Sequence, residues 1–359
     1  MQELDHPLWQ ISVYSALAIV LTVTLNRSIA ARLDRGWRFA LLVGMSIAGN
    51  CVALMSVLFW PSYWTLITVG VLGFSLSSSS LSTMYSFGRI SAERYGFDIA
   101  GFNAWLRAMT SLGWMMGPAL AFFIAGQWGA DRTFVFALLA ALVWATLWWR
   151  TIPRDARAEV ADKQPQNTSG AERALWLAVT ACLFFSAAHV LCSSALPLFY
   201  VREAGLPDFA PGLSFSIKTA TEIVIILTTP VLLRRFAPLS GLILSGGIGL
   251  CAFIVLSQVT GLTGMAIGSA LEGAYYGLFA GVSLTYVQSF ANGRMARANA
   301  LYVNSLFVGA LIAGPSMGII AQFTSFQTAI LAACLPMLCA LTVLLVTQRS
   351  ERRSDLSTS

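Results

Sequence analysis

The chain has 359 residues, of which 57% are hydrophobic and 11% charged, and its formal net charge is +6. An ordinary soluble domain carries about 25% charged residues, so this composition excludes a soluble protein with a normal surface. The positive balance is not a nucleic-acid footprint, because the basic residues lie in short segments between apolar runs rather than along one face.

A helix needs about 20 apolar residues to cross a bilayer. In chain order, eleven runs meet that length: 8–29, 39–59, 63–88, 99–126, 133–152, 174–200, 212–233, 239–258, 261–289, 298–323 and 326–347. They are long and lack strict alternation, which argues against strands. The expected fold class is therefore all-α, a polytopic membrane protein. The first run has no basic segment before it and no small-residue cleavage site after it, so it does not read as a signal peptide.

Lys and Arg mark the cytoplasmic loops of membrane proteins. One alternating set of loops holds eighteen of the twenty-two, among them Arg32, Arg35, Arg38, Arg94, Arg150, Arg234, Arg294 and Arg349. The opposite set holds only Arg132 and Arg202, and Arg107 and Lys218 fall inside runs. The first set is expected to be cytoplasmic. The only long polar stretch, 153–173, contains Pro153, Asp155, Gln164, Pro165, Asn167 and Gly170 and reads as a flexible connector. The expected organisation is a five-span bundle (1–152), this linker (153–173), a six-span bundle (174–347) and a cytoplasmic tail (348–359).

The two bundles repeat one another. Cys51 and Cys251, Gly73 and Gly273, and Arg94 and Arg294 match at an offset of 200. Segment 102–118 lies on 299–315 at an offset of 197, pairing Arg107 with Asn304, and both segments end in Gly-Pro, at Gly117-Pro118 and Gly314-Pro315. A nearly constant offset through four successive spans is a repeat. On this ruler the run 174–200 has a counterpart upstream of Met1, and the tail before Leu8 carries Glu3 and Asp5 but no Lys or Arg. One further N-terminal span, roughly 30–40 residues with its loop, is therefore expected to be absent from the chain.

All six cysteines sit inside apolar runs, with no C-x-x-C pair and no His/Cys cluster, so neither a disulfide framework nor a metal site is expected. No paired-Asp metal motif and no nucleophile–base constellation argues for an enzyme. Ionisable residues within spans are the informative ones, because they are expensive in lipid and line cavities or pathways. There are five: Arg107, His189, Lys218, Glu222 and Glu272. Lys218 and Glu222 are four apart and can pair on one helix face. Arg107 extends a polar stripe from Asn103 to Thr110, and Ser75, Ser79, Ser82 and Ser86 form another that equally fits tight helix packing. Glu272 shares a face with Tyr276. It reads as a proton carrier, as a carboxylate satisfied by Arg107 or tyrosines, or as a solute ligand. Glu222 reads as a second proton group or as an ion-pair member. His189, next to Ser193 on its face, reads as a hydrogen-bonding cavity residue.

Two parallel six-span repeats resemble the plan of the major facilitator superfamily. Arg32-Leu33-Asp34-Arg35-Gly36-Trp37-Arg38 resembles that superfamily's first-loop signature, with Ala30 where a glycine is expected and a shortened gap before Gly36. An Asp there can cap the positive end of a neighbouring helix, and the arginines can lie over anionic headgroups. The alternative is an ordinary basic loop. Gly113, Gly117 and Pro118 resemble part of the Gly-Pro signature of exporters, with Ala119 departing from it; small residues allow close helix contact and proline bends the helix.

The segments 63–72, 106–122, 196–213 and 219–223 resemble the bacterial sugar efflux transporters of this superfamily. The resemblance covers most of the chain from Leu8. It implies the major-facilitator fold of two bundles and proton-driven export of small sugars or glycosides by alternating access. It implies no cofactor beyond the coupling proton, a monomer in the bacterial inner membrane, and no nucleic-acid partner. It also brings the fifth and eighth helices of the fold together, so that Arg107, Lys218 and Glu222 become an interdomain ion-pair group and Asp34, Arg35, Gly36 and Arg38 a gating loop. Sugar binding calls for amides, charged groups and aromatic faces; the candidates are Asn103, Arg107, Trp114, His189, Glu272, Tyr275, Tyr276, Tyr302 and Asn304. The competing readings are a multidrug exporter of the same fold and a transport-inactive remnant or membrane sensor.

Overall fold

The computed structural model describes residues 8–158 and 169–358, and every regular element among them is helical. We number these helices α1 (Leu8–Leu33), α2 (Phe39–Phe59), α3 (Tyr63–Tyr95, with a π turn at Leu66–Gly70), α4 (Ile99–Trp128), α5 (Ala130–Thr151), α6 (Ser169–Arg202), α7 (Ala210–Leu233), α8 (Pro238–Ser257), α9 (Leu262–Gln288), α10 (Met295–Phe323) and α11 (Phe326–Ala332 and Cys334–Thr358, joined at Ala333). The helices form because a backbone in hydrocarbon must satisfy its own polar groups, which an α-helix does within one segment.

Local chemistry sets the ends. Ser62 accepts from the Thr65 amide at the start of α3, and Asp98 Oδ2 accepts from the Gly101 amide at the start of α4. Proline occupies the first turns of α7 and α8, where its missing N–H is harmless. Gly36, at φ +82°, turns the chain between α1 and α2, a conformation that disfavours any Cβ.

Each apolar run falls on one of these helices. Among the described residues, eight helices are long and apolar enough to cross a membrane: α2, α3, α5, α6, α7, α8, α10 and α11. α1, α4 and α9 are 26, 30 and 27 residues long. α4 carries Asn103, Arg107, Thr110 and Ser111, and α9 carries Glu272, Tyr275 and Tyr276.

The chain divides into two compact units. Unit 1 comprises Met1–Ser91, Gly113–Pro165 and Gly293–Asn304; unit 2 comprises Ala92–Leu112, Gln166–Asn292 and Ser305–Ser359. The first part of α4 thus belongs with unit 2, and the first part of α10 with unit 1.

In unit 1 the buried core joins Ile29 and Leu33 of α1, Phe39, Leu42, Val43 and Ile47 of α2, and Ala296 and Ala300 of α10. α5 lies on α2, where Trp148 Nε1 donates to the Ala40 carbonyl at 2.9 Å. The connector is less free than its composition implies. The Phe39 amide donates to the Ala156 carbonyl at 3.0 Å, Arg157 bridges Arg38, and Ile152 and Ala158 are buried in this core. Residues 169–173 already belong to α6, while 159–168 lie outside the described residues, as do Glu3 and Asp5. The expected tail is likewise helical, since α11 continues through Thr358.

In unit 2, α9 packs on both α7 and α8, and α6 runs along α11. Glycine makes the α7–α9 approach possible: a Cβ on Gly273 would strike the Lys218 carbonyl, and one on Gly277 the Glu222 carbonyl. The close contacts expected of the Gly-Pro steps are not found. A Cβ on Gly113, Gly117 or Gly314 meets nothing within 4 Å. α4 runs on as helix through Gly117-Pro118, and α10 through Gly314-Pro315. The tight glycines sit elsewhere, against backbone at Gly273 and Gly277 and against side chains at Gly246 and Gly268.

Candidate functional site

Unit 2 gathers most of the charged residues singled out by the sequence. The 3.6-residue period of α7 puts Ser214, Lys218 and Glu222 on one face, and all three are buried. Lys218 Nζ lies 2.6 Å from Glu222 Oε2, and the other carboxylate oxygen accepts from Ser111 Oγ of α4 at 2.6 Å. One turn earlier on α4, Arg107 hydrogen-bonds the Tyr276 hydroxyl. Tyr276 is a hub of the cluster. Lys218 Nζ sits 4.6 Å from the centre of its ring, and the His189 ring of α6 stacks on it at 3.9 Å. Glu272 lies one turn before Tyr276 on α9 and is 2% exposed. Its Oε1 is 3.5 Å from His189 Nδ1, and neither atom makes a hydrogen bond.

These residues border a cavity of about 120 Å³ lined by α6 (His189, Ser193, Leu196, Pro197, Tyr200), α7 (Pro211, Ser214, Phe215, Lys218) and Glu272 of α9. A hydroxyl chain leads away from it. Ser269 donates to the Met265 carbonyl, so it accepts from Ser214 at 2.7 Å, and Ser214 in turn accepts from Tyr200 at 3.2 Å. Each hydroxyl has one proton, which fixes this direction. With Glu272 ionised and His189 neutral, the two cations Arg107 and Lys218 balance the two carboxylates.

Asn103 belongs to unit 2 but serves a different end: its amide donates to Thr285 Oγ1 at 3.0 Å and Gln288 Oε1 at 2.8 Å. Tyr275 is fully buried and presses its ring on Phe253. Arg107, Lys218 and Glu222 all fall within unit 2, the first through the part of α4 that joins it.

The remaining candidates belong to unit 1. Trp114 is 66% exposed. Asn304 accepts from Asn26 at 2.6 Å and donates to the Val23 carbonyl at 3.2 Å, and Tyr302 lies beside the Tyr85 ring. Asn26 also accepts from Ser82, and Asn299 donates to Ser86 at 2.9 Å. The serine stripe of α3 is buried and bonded to its neighbours, as packing would have it: Ser75 reaches the Ala18 carbonyl and Ser79 reaches Ser46.

The loop Asp caps a helix as its chemistry allows. Asp34 Oδ1 and Oδ2 accept from the Ala296 and Arg297 amides, each at 3.1 Å, at the start of α10. Burial pushes its carboxyl up to about 6, against the opposing pull of those two amides and of Arg294 and Arg297. Arg32 lies over the Trp37 ring. Glu203 plays the equivalent part in unit 2, accepting from the Phe326 and Gln327 amides at 2.7 and 2.9 Å at the start of α11.

The sequence reading missed Ser111, Tyr200, Ser214, Asn26 and Glu203. Ser111 follows Arg107 by four and Ser214 precedes Lys218 by four, so helical spacing from a buried charge was the available signal. Asn26 and Glu203 gave none, because their partners are far along the chain.

Comparison with known proteins points one way. The family model described as Major Facilitator Superfamily matches residues 8–303. Sugar efflux transporter A of Dickeya chrysanthemi is 26% identical, over 90% of this chain and 83% of its own length. Sugar efflux transporter B of Salmonella typhimurium is 26% identical, over 86% of this chain and 79% of its own. Among solved structures, the major facilitator transporter FucP in an outward conformation matches with a TM-score of 0.72, covering 96% of this chain and 92% of that one at 13% identity. The human organic anion transporter MFSD10 matches with a TM-score of 0.73, covering 92% and 82% at 13% identity.

Proposed function

Because the chain belongs to the major facilitator superfamily, and is therefore a multi-pass membrane transporter rather than an enzyme, we propose that it exports small sugars or glycosides in exchange for protons by alternating access. In this reading it works as a monomer in a bacterial inner membrane, with eleven spans divided five and six about the 153–173 connector. Its basic loops lie on the cytoplasmic side, and Asp34, Arg35, Gly36 and Arg38 form a gating loop. Sugar efflux relatives at 26% identity over most of the chain support the substrate class.

The observation that carries the proposal is the buried cluster around Tyr276. A neutral polyol needs charged and hydroxyl partners plus a ring face. His189, Lys218, Glu272, Tyr200 and Phe215 supply these around one cavity. Buried ionisable groups within membrane helices are retained for transport work rather than for stability. Glu272, whose Oε1 makes no hydrogen bond, is the proton acceptor in this scheme, while both oxygens of Glu222 are held, by Lys218 and by Ser111. A multidrug exporter would favour a wholly apolar aromatic cavity, whereas Lys218 and Glu272 put charge on the wall of this one.

The test is a panel of radiolabelled sugars and glycosides in proteoliposomes with an imposed pH gradient. Uptake of at least one sugar against its gradient, collapsing when the pH gradient is dissipated, is the expected result. Movement of apolar cations with no sugar flux would overturn the substrate assignment.

A further inference from the structure

The backbone of unit 1 holds two arginines against each other. The connector runs antiparallel to the start of α2, and Arg38 and Arg157 face one another across an isolated bridge. Beside them the Phe39 amide donates to the Ala156 carbonyl at 3.0 Å, which makes theirs the narrow, non-hydrogen-bonded kind of pair. In such a pair the Cβ atoms lie about 4.5–5.5 Å apart, and like charges directly opposite are unfavourable. Both side chains are exposed, and neither makes an ion pair among the described residues. Two guanidinium groups with no carboxylate between them suit an anion that bridges both, and a phosphate does so through paired hydrogen bonds.

The surroundings of the pair are those of a membrane edge. Arg154 lies 4.0 Å over the Trp149 ring and Arg32 5.6 Å over the Trp37 ring, and both indoles are exposed. An exposed indole with a cation above it belongs at headgroup level. Below Arg38, α2 carries an exposed apolar stripe, Leu41, Met45 and Val52, at helical spacing. That stripe enters an open groove of about 680 Å³, walled by Met45, Ala48 and Val52 of α2, Leu72 and Leu76 of α3, and Leu21 of α1. At 1.5 Å per residue the groove lies roughly 10–20 Å along α2 from Arg38, the depth of one acyl layer in a core about 30 Å thick. In unit 2 the equivalent place is filled. Gly49 on the groove wall is matched in the repeat by Gly249, where a Cβ would strike Met337 of α11.

We propose that unit 1 binds one anionic phospholipid from the leaflet its basic loops face, with the phosphate between Arg38 and Arg157 and an acyl chain in the groove between α2 and α3. Head and chain are then recognised along a single helix, at a separation that one lipid spans. The phosphate relieves the repulsion within the arginine pair. It also clamps the connector, which carries Arg157, to α2, whose first residue follows Arg38. A zwitterionic lipid brings an ammonium group that the arginines repel, so the site discriminates by net headgroup charge. The inference is independent of the sugar and proton reading above.

The experiment titrates the full-length protein in detergent with long-chain phosphatidylglycerol, phosphatidylcholine of the same chains, a short-chain phosphatidylglycerol and inorganic phosphate. Native mass spectrometry counts the retained lipid, and the rise in unfolding temperature gives the Kd. Long-chain phosphatidylglycerol should be retained, and the other three should bind about tenfold or more weakly. Arg38→Gln and Arg157→Gln should each weaken it by about fivefold, the worth of one basic residue at a lipid surface. Ala48→Phe, which narrows the groove, should weaken the long-chain lipid and leave the short-chain one unchanged. Arg132→Gln, at the opposite end of α5, should change nothing. Wild-type affinity in an Arg38→Gln/Arg157→Gln protein whose lipid-free unfolding temperature is normal overturns the headgroup site, and so does equal binding of phosphatidylcholine. Inorganic phosphate or the short-chain lipid binding as tightly as the long-chain one overturns the lipid assignment.

Discussion

The two units answer the same problem, polar groups buried among membrane helices, in opposite ways. In unit 1 the buried polar groups are neutral and bonded to one another: Asn26, Asn299 and Asn304 with Ser82 and Ser86. In unit 2 neutral networks stand beside a charged cluster, Arg107, Lys218, Glu222 and Glu272, and oxygen and nitrogen atoms of Glu272 and His189 are left without hydrogen bonds. The repeat makes this a controlled comparison. Arg107 and Asn304 occupy equivalent positions, and so do Gly73 and Gly273. Yet Gly273 lets α9 press on the backbone at Lys218, whereas Gly73 is pressed on the Gly49 carbonyl of α2. A satisfied neutral network fixes helices in place. An incomplete charged one holds energy in reserve for a ligand or proton.

Mutations at the equivalent networks should separate these roles. The largest effect is expected from Glu272→Gln, which should reduce proton-driven sugar flux to background in inside-out vesicles while the protein stays folded; undiminished flux would reject the proton role. Next is Lys218→Met, which leaves Glu222 buried without its cation. Removing one member of a buried pair is destabilising by about 3–5 kcal/mol, read as a drop in thermal unfolding temperature in detergent. Adding Glu222→Gln to it should recover most of the loss, and no recovery would mean that Lys218 acts through some other contact.

In unit 1, Asn26→Ala removes bonds to Asn304, Ser82 and the Ala300 carbonyl. A loss of about 1–3 kcal/mol is expected, with the pH dependence of transport unchanged. A shifted pH profile would break the contrast between the units.

The smallest effect is at the α10 cap. Asp34→Ala should lower stability by about 1 kcal/mol. The pH sign is set by burial, which raises Asp34 to about 6 from an ordinary value of 3.8. The folded protein therefore holds this proton more tightly than the unfolded chain. The residue's contribution is greatest below about pH 4 and declines as pH rises through 6. Asp34→Asn should remove that slope from a plot of unfolding temperature against pH.

Much of this was legible in the sequence. Apolar runs located the helices because hydrocarbon tolerates little else. The charges inside those runs named Arg107, His189, Lys218, Glu222 and Glu272, and spacing alone gave the Lys218–Glu222 pair. The helix-capping chemistry of Asp34 was also readable, though not which helix it caps. Local rules do not answer questions of packing. Gly117 and Gly314 suggest close contact by composition, but a glycine is tight only where a neighbouring element arrives, as α7 does at Gly273 and Gly277. The connector looked flexible because it is polar, yet Ala156 and Arg157 find backbone partners at the start of α2.

The sequence by itself determined that this is a helical membrane protein of repeated design with charges where lipid should exclude them. Periodicity and transfer energy act within a single segment, and a segment is what a sequence displays. Only the tertiary structure decided that Tyr276 joins His189, Lys218 and Arg107, and that Asn304 sits with Asn26 rather than with a charged partner. It alone revealed the unbonded oxygen of Glu272. Those facts depend on which helix faces are brought together, and glycines on α9, not the charged residues themselves, set how closely α7 and α9 meet.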